Sequence, residues 1–234
     1  KSRVFEKNKC YSKTFLFPAN TSEKELLDLI SKLNEDNKFH GILVQLPLPN
    51  HIDSKKILNH VDPRKDVDGF HPLNLGSLLE GNPNFIPCTP NGIIKILDYY
   101  KIETSGKHVV IIGRSNIVGK PMFALLSQKF KIGNSTVTIC HTGTDSIKKF
   151  TLQADIVIAA VGVPEMLTGD MIKEGACIID VGINRVDDSS LEKGYRLVGD
   201  VHSDSVMGKA SSLTPVPGGV GPMTITMLLY NTVK

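Results

Sequence analysis

Apolar positions along the chain fall into two kinds of run. Leu26, Leu27, Ile30 and Leu33 recur at helical spacing behind Asn20, Thr21, Ser22 and Glu23, a helix-start signal, and predict a helix ending near residues 34–37. The other runs are short and continuous. Residues 40–46 (HGILVQL), 108–112 (HVVII), 154–161 (ADIVIAAV) and 176–181 (ACIIDV) are apolar, largely β-branched and closed by glycine or proline, which predicts strands buried on both faces. Residues 135–140 (STVTIC) alternate and predict a further strand, and 12–18 and 196–200 are weaker strand candidates. Helical patterns at 51–60, 91–100, 122–126, 201–210 and 223–233 separate them, so the expected fold is α/β with a doubly wound, Rossmann-like parallel sheet. The proline-bracketed link at 85–90 predicts two lobes. Residues 1–90 would form an α/β catalytic domain, 91–221 a nucleotide-binding domain, and the helix at 222–234 would return to the first lobe.

The stretch 108–121 (HVVIIGRSNIVGKP) passes from strand through a glycine-bounded turn into a helix. That is the form of the first βα turn of a dinucleotide fold, where a helix N-terminus offers unpaired N–H groups to phosphate. Gly113 and Gly119 fit, while Ser115 stands where the second glycine of G-x-G-x-x-G is expected. Arg114 can fork onto a ribose 2′-phosphate, which favours NADP over NAD. The loop after the next strand, His141, Thr142, Gly143 and Thr144, carries no acid to grip an unphosphorylated ribose, and Thr142 is compatible with the phosphorylated one.

Three further features are candidates for chemistry. Gln45 interrupts an apolar run at its carboxyl end, where ligands of open α/β sheets sit; the alternative is a glutamine that satisfies loop backbone. In residues 62–69 (DPRKDVDG) the acids and bases could form a surface ion-pair cluster, or Asp66 or Asp68 could face the same cleft as Gln45. Residues 214–222 (TPVPGGVGP) predict neither helix nor central strand, but a fixed extended loop whose bare backbone can approach a flat ligand.

Composition narrows the classes. The chain has 234 residues, 41% hydrophobic and 22% charged, with a formal charge of +3, too small for nucleic-acid binding without a basic run. Cys10, Cys88, Cys140 and Cys177 are widely spaced, which implies a reduced, cytoplasm-like compartment and no C-x-x-C zinc site, so no metal is expected. No apolar run reaches the roughly 18 residues of a membrane span, and no signal peptide is visible.

VQLPLP at 44–49, KDVDG at 65–69, GRSNIVGKP at 113–121, DVGINR at 180–185 and TPVPGGVGP at 214–222 together resemble the methylenetetrahydrofolate dehydrogenase/methenyltetrahydrofolate cyclohydrolase family, the FolD type, over essentially the whole chain. The resemblance implies oxidation of 5,10-methylenetetrahydrofolate by NADP, with NAD as the lesser alternative, and hydrolysis of the methenyl product to 10-formyltetrahydrofolate. It implies tetrahydrofolate derivatives as ligands and a homodimer, to which charge and the lack of a long apolar run add the expectation of no nucleic-acid or membrane partner. The family's catalytic lysine lies in Y-x-x-x-K about seventeen residues before a proline, and Lys1 stands in that register before Pro18. The tyrosine would precede Lys1, so the expectation is that an upstream segment is missing. By the same resemblance Lys1 manages protons, Gln45 orients Lys1 and water, and Asp68 binds the pterin edge. Val44, Leu46, Pro217, Gly218, Gly219, Val220 and Gly221 would line the folate, Gly113, Arg114, Ser115 and Thr142 would hold the adenosine phosphates, and Ile183 would border the nicotinamide. Two alternatives stay open: a dehydrogenase without cyclohydrolase activity, and a nucleotide-binding regulatory module, the latter only if the chain truly begins at Lys1.

Overall fold

A computed structural model describes residues 1–234, which divide into two compact units, Lys1–Cys88 with Ile225–Lys234, and Thr89–Thr224. The first unit carries α1 (Ser2–Lys7), α2 (Glu23–Glu35), α3 (Ser54–His60) and α4 (Pro72–Glu80). Helix α2 begins in a capping box: Ser22 Oγ accepts from Glu25 N at 3.3 Å and Glu25 Oε2 accepts from Ser22 N at 2.9 Å. Its apolar stripe then does what the spacing predicts. Ile30 is buried with Ile42, Ile52, Ile57 and Val61, and Leu26, Leu27 and Leu33 pack on that cluster.

Two strand expectations in this unit fail. Residues 40–46 make only an isolated parallel bridge, Ile42 to Asp66, because no second strand lies alongside and Pro47 and Pro49 lack the N–H that would extend a ladder. Residues 12–18 pair with nothing, and Leu16 is 89% exposed. Helix α4, not expected from the pattern, starts with a proline behind the cap His71, whose Nδ1 accepts from Leu73 N, and stops at the left-handed Gly81.

The second unit holds a parallel sheet of β1 (His108–Ile112), β2 (Thr136–Cys140), β3 (Ile156–Ala159), β4 (Cys177–Asp180) and β7 (Ser212–Leu213) in the order β2-β1-β3-β4-β7. Strands β1, β3 and β4 are buried almost throughout, as continuous apolar runs require. After β1 the chain adds β2 on one side and later β3 on the other, so the strand order reverses between β1 and β3. The predicted strand at 196–200 is not part of this sheet. It is β6 (Tyr195–Val198), paired antiparallel with β5 (Asn184–Asp187); Arg196 and Leu197 are exposed and only Val198 is buried, which suits a two-stranded ribbon better than a sheet buried on both faces. Helices α5 (Cys88–Tyr99), α6 (Gly119–Ser127), α7 (Ile147–Thr151), α8 (Ser203–Val206) and α9 (Val220–Val233) complete the chain. The stretch 214–222, expected to be non-helical throughout, instead gives its last three residues to α9. Pro222 is tolerated there because first-turn N–H groups have no partner within the helix. No helix is long and apolar enough to cross a membrane.

Candidate active site

In the first unit the parallel bridge from Ile42 to Asp66 holds the segment that leads to Gln45 beside the turn that carries Asp68. Ile42 N donates to Lys65 O at 2.7 Å, and Gly41 lies so near Val67 that a Cβ there would sit 2.5 Å from Cγ1. Close approach of these two segments is therefore built into the backbone. The exposed Gln45 side chain accepts from Lys1 Nζ through Oε1 at 2.9 Å and donates through Nε2 to Leu46 O at 2.9 Å, so its amide is held at both ends. Val44 differs: its side chain packs on the core under α2.

The two candidate aspartates separate cleanly. Asp66 is 5% exposed, and its Oδ2 accepts from His71 N and from Asn74 Nδ2, both at 2.8 Å. It fixes the loop. Asp68 is half-buried, and burial, partly offset by the Lys1 charge, pushes its carboxyl up to about 6; the Asp66 charge adds to the rise and a hydrogen bond from Cys88 opposes it. Cys88 is buried, its Sγ donates to Val67 O at 3.2 Å, and burial followed by the Asp68 charge drives the thiol far upward, which leaves it a neutral donor rather than a nucleophile. Asn231 closes this side by donating to Val67 O at 2.9 Å and Ile86 O at 3.0 Å. Lys1 thus links the three candidates within one unit, hydrogen-bonded to the Gln45 amide and in the field of the Asp68 carboxylate.

In the second unit the turn after β1 is as tight as its glycines imply. Gly113 has φ of +122°, and a Cβ there would meet Ala160 O at 2.3 Å; a Cβ on Gly119 would meet Gly113 O at 2.2 Å. Ser115 Oγ accepts from Val118 N at 3.0 Å, which leaves its hydroxyl proton free to donate outward. Arg114 is exposed beside it, and Thr142 is exposed after β2, in a turn where His141 Nδ1 accepts from Gly143 N. These are the donors, bare backbone and cation that a dinucleotide phosphate requires, so the turn fits such a group. Ile183 is 59% exposed after β4, and a Cβ on Gly221 would lie 3.4 Å from its Cδ1, so Ile183 and the 217–221 stretch are neighbours. Of that stretch, Pro217 follows a cis peptide, Gly218 has positive φ, Gly219 precedes α9, and Val220 and Gly221 open it.

Residues 87–234 match the family described as tetrahydrofolate dehydrogenase/cyclohydrolase, NAD(P)-binding domain, and residues 1–68 match its catalytic domain. The chain belongs to the tetrahydrofolate dehydrogenase/cyclohydrolase family. It is 61% identical over 219 residues to the bifunctional protein FolD of Chlorobium phaeobacteroides, across 93% of this chain and 74% of that one. Among solved structures, the bifunctional FolD of Campylobacter jejuni superposes with a TM-score of 0.91 at 49% identity, over 99% of this chain and 79% of that one. The FolD of Trypanosoma brucei, complexed with NADP cofactor and inhibitor, does so with a TM-score of 0.92 at 40% identity, over 99% and 78%.

Sequence reasoning alone did not single out several buried polar residues that support the loops carrying these candidates: Cys88, Asn231 and Asn74 around the aspartates, and Asp180 and Asp200 in the nucleotide unit. The last two carried a signal, since each is an acid set inside a largely apolar stretch.

Proposed function

We propose that Lys1, Gln45 and Asp68 carry the folate chemistry of this enzyme and that Gly113, Arg114, Ser115, Thr142 and Ile183 hold its cofactor. The enzyme oxidises 5,10-methylenetetrahydrofolate to the methenyl cation and hydrolyses that cation to 10-formyltetrahydrofolate. NADP, when bound, accepts the hydride. The observation that supports the residue roles best is the 2.9 Å contact from Lys1 Nζ to Gln45 Oε1, with Asp68 in the field of the same amine.

Hydration of the amidinium carbon requires a group that takes a proton from water and returns it to the departing ring nitrogen. Lys1 does this, and Gln45, fixed by Leu46 O, aims it. The Asp68 carboxylate accepts from the pterin amino group and ring N–H, two parallel charge-assisted bonds that set the folate's orientation. Val44 serves through its backbone, since its side chain faces the core. Leu46 and the 217–221 stretch keep their assignment to folate on the family resemblance. That resemblance also supports a homodimer in the cytoplasm, and light scattering reads the oligomeric state.

Two variants test the division of labour. Arg114→Ala should raise the KM for NADP by about tenfold to a hundredfold, the scale of lost hydrogen bonds to a charged group, and narrow the preference over NAD. Gln45→Ala should leave NADPH affinity in place and lower hydrolysis of the methenyl substrate by about tenfold or more. Unchanged NADP kinetics in the first variant, or unchanged hydrolysis in the second, would overturn the corresponding assignment.

A further inference from the structure

Asp180 closes β4 and Asp200 follows β6; they are 3% and 0% exposed. Each carboxylate accepts backbone or amide donors instead of pairing with a cation. Asp180 Oδ1 takes Gly182 N at 3.0 Å and Asp200 N at 2.9 Å, and its Oδ2 takes Val201 N at 3.0 Å. Asp200 Oδ2 takes Val161 N at 2.7 Å and Gly162 N at 3.0 Å, and its Oδ1 takes Asn184 Nδ2 at 2.9 Å. The backbone is shaped around them: a Cβ on Gly199 would fall 1.7 Å from Asp180 Oδ2, and one on Gly182 would fall 2.3 Å from Asp200 Oδ1. The donors come from two loops, 160–163 after β3 and 181–184 after β4. Both leave the carboxyl end of the parallel sheet, on the β3 side of the point where strand order reverses. At their tips stand Val163, 49% exposed, and Ile183, 59% exposed.

A dinucleotide lies across such a switch point, one nucleotide on each side. With the phosphate turn and Thr142 on the β1–β2 side, the β3–β4 side receives the nicotinamide. We propose that Asp180 and Asp200 are positioning residues which lock the 160–163 and 181–184 loops together, so that Val163 and Ile183 form a preset apolar seat for the nicotinamide ring. The proposal rests on the NADP assignment of the β1 turn. Neither aspartate touches the ring. The Asp180 carboxylate holds Asp200 by accepting from the Asp200 N–H, and the Asp200 carboxylate holds both loops. A buried carboxylate suits this task because it accepts from both oxygens at once, whereas an amide offers one acceptor oxygen and turns a donor toward the other loop.

The test uses Asp200→Asn in the full chain with three readouts: affinity for NADPH, affinity for 2′,5′-ADP, which carries the adenosine half alone, and hydrolysis of the methenyl substrate without nucleotide. The expected result is a loss of NADPH affinity and of hydride-transfer kcat of about tenfold or more each, the scale of hydrogen bonds to a charged acceptor. Affinity for 2′,5′-ADP and the nucleotide-free hydrolysis should change by less than about threefold. Should Asp200→Asn not fold, Asn184→Ala cuts the second loop's tether while leaving both carboxylates, and should lower NADPH affinity with 2′,5′-ADP affinity kept. Equal loss of NADPH and 2′,5′-ADP would make the pair a general scaffold of the unit and overturn the proposal, as would unchanged NADPH affinity and kcat. Failure of the underlying NADP assignment shows separately, as wild-type protein that binds no 2′,5′-ADP and an Arg114→Ala variant with unaltered NADP kinetics.

Discussion

Lys1→Met is expected to lower hydrolysis of the methenyl substrate by about 10²–10⁴-fold, the range of a lost general acid–base group, while NADPH affinity stays as in the unaltered chain. Methionine keeps an unbranched apolar stem and removes only the amine. The backbone role of residue 1 survives, since Lys1 O accepts from Val4 N at 2.9 Å whatever the side chain. Below about pH 4, where Asp68 is protonated in the folded chain, stability should therefore move by no more than about 0.5 kcal/mol, as for other exposed positions. The nucleotide turn belongs to the other compact unit, which is why binding of NADPH is the internal control. A second consequence follows from the field of the amine. Lys1 holds the Asp68 carboxyl down against the burial that raises it, so its loss should carry Asp68 above its present value of about 6. The acid limb of the folate-binding profile should then shift to higher pH. Hydrolysis at the unaltered rate in Lys1→Met would remove the amine from the mechanism.

The nucleotide unit was more legible in the sequence than the folate unit, for a physical reason. Strands β1, β3 and β4 are buried on both faces, so each is a closed apolar run with a glycine after it, a pattern that depends on neighbours only through burial. Residues 40–46 have nearly the same composition yet form one bridge, because a strand is a property of a pair and its only partner is the short loop segment at Asp66. Among site residues, Gln45 announced itself by interrupting an apolar run, whereas Lys1 has no local signal and rests on family register. Asp66 and Asp68 could not be told apart locally. Their difference lies in partners outside the motif, His71 and Asn74 in and before the next helix for one, the distant Lys1 and Cys88 for the other. Asn231 lies 164 residues from the Val67 carbonyl it satisfies, a separation no spacing rule reaches.

Asp68→Asn should make the protein more stable and the enzyme much weaker, and the pH dependence of the gain identifies its cause. The Asp68 carboxyl stands at about 6 in the folded chain against 3.8 for a free side chain, so between those values the folded state holds a proton that the unfolded state has released. With a folded pKa above the unfolded one, the stability linked to this group is fully present below about pH 4 and is lost as pH rises through 6. At neutral pH the ionised, half-buried carboxylate costs the fold about 2–3 kcal/mol at most, from roughly 1.4 kcal/mol per decade of pKa difference. An asparagine does not titrate. The denaturation free energies of the two proteins should therefore lie close together near pH 4 and separate in the variant's favour up to pH 7, with little further change above. A gap of constant size across that range would mean that burial of the charge is not what raises the carboxyl. Folate affinity moves the other way, because the amide keeps one neutral acceptor and turns a donor toward the pterin's second N–H donor, and the loss of charge together with that mismatch should reach about a hundredfold. If the Asp68 charge is there to receive folate, one substitution should raise stability and lower folate binding together, and that pairing is the signature of the trade.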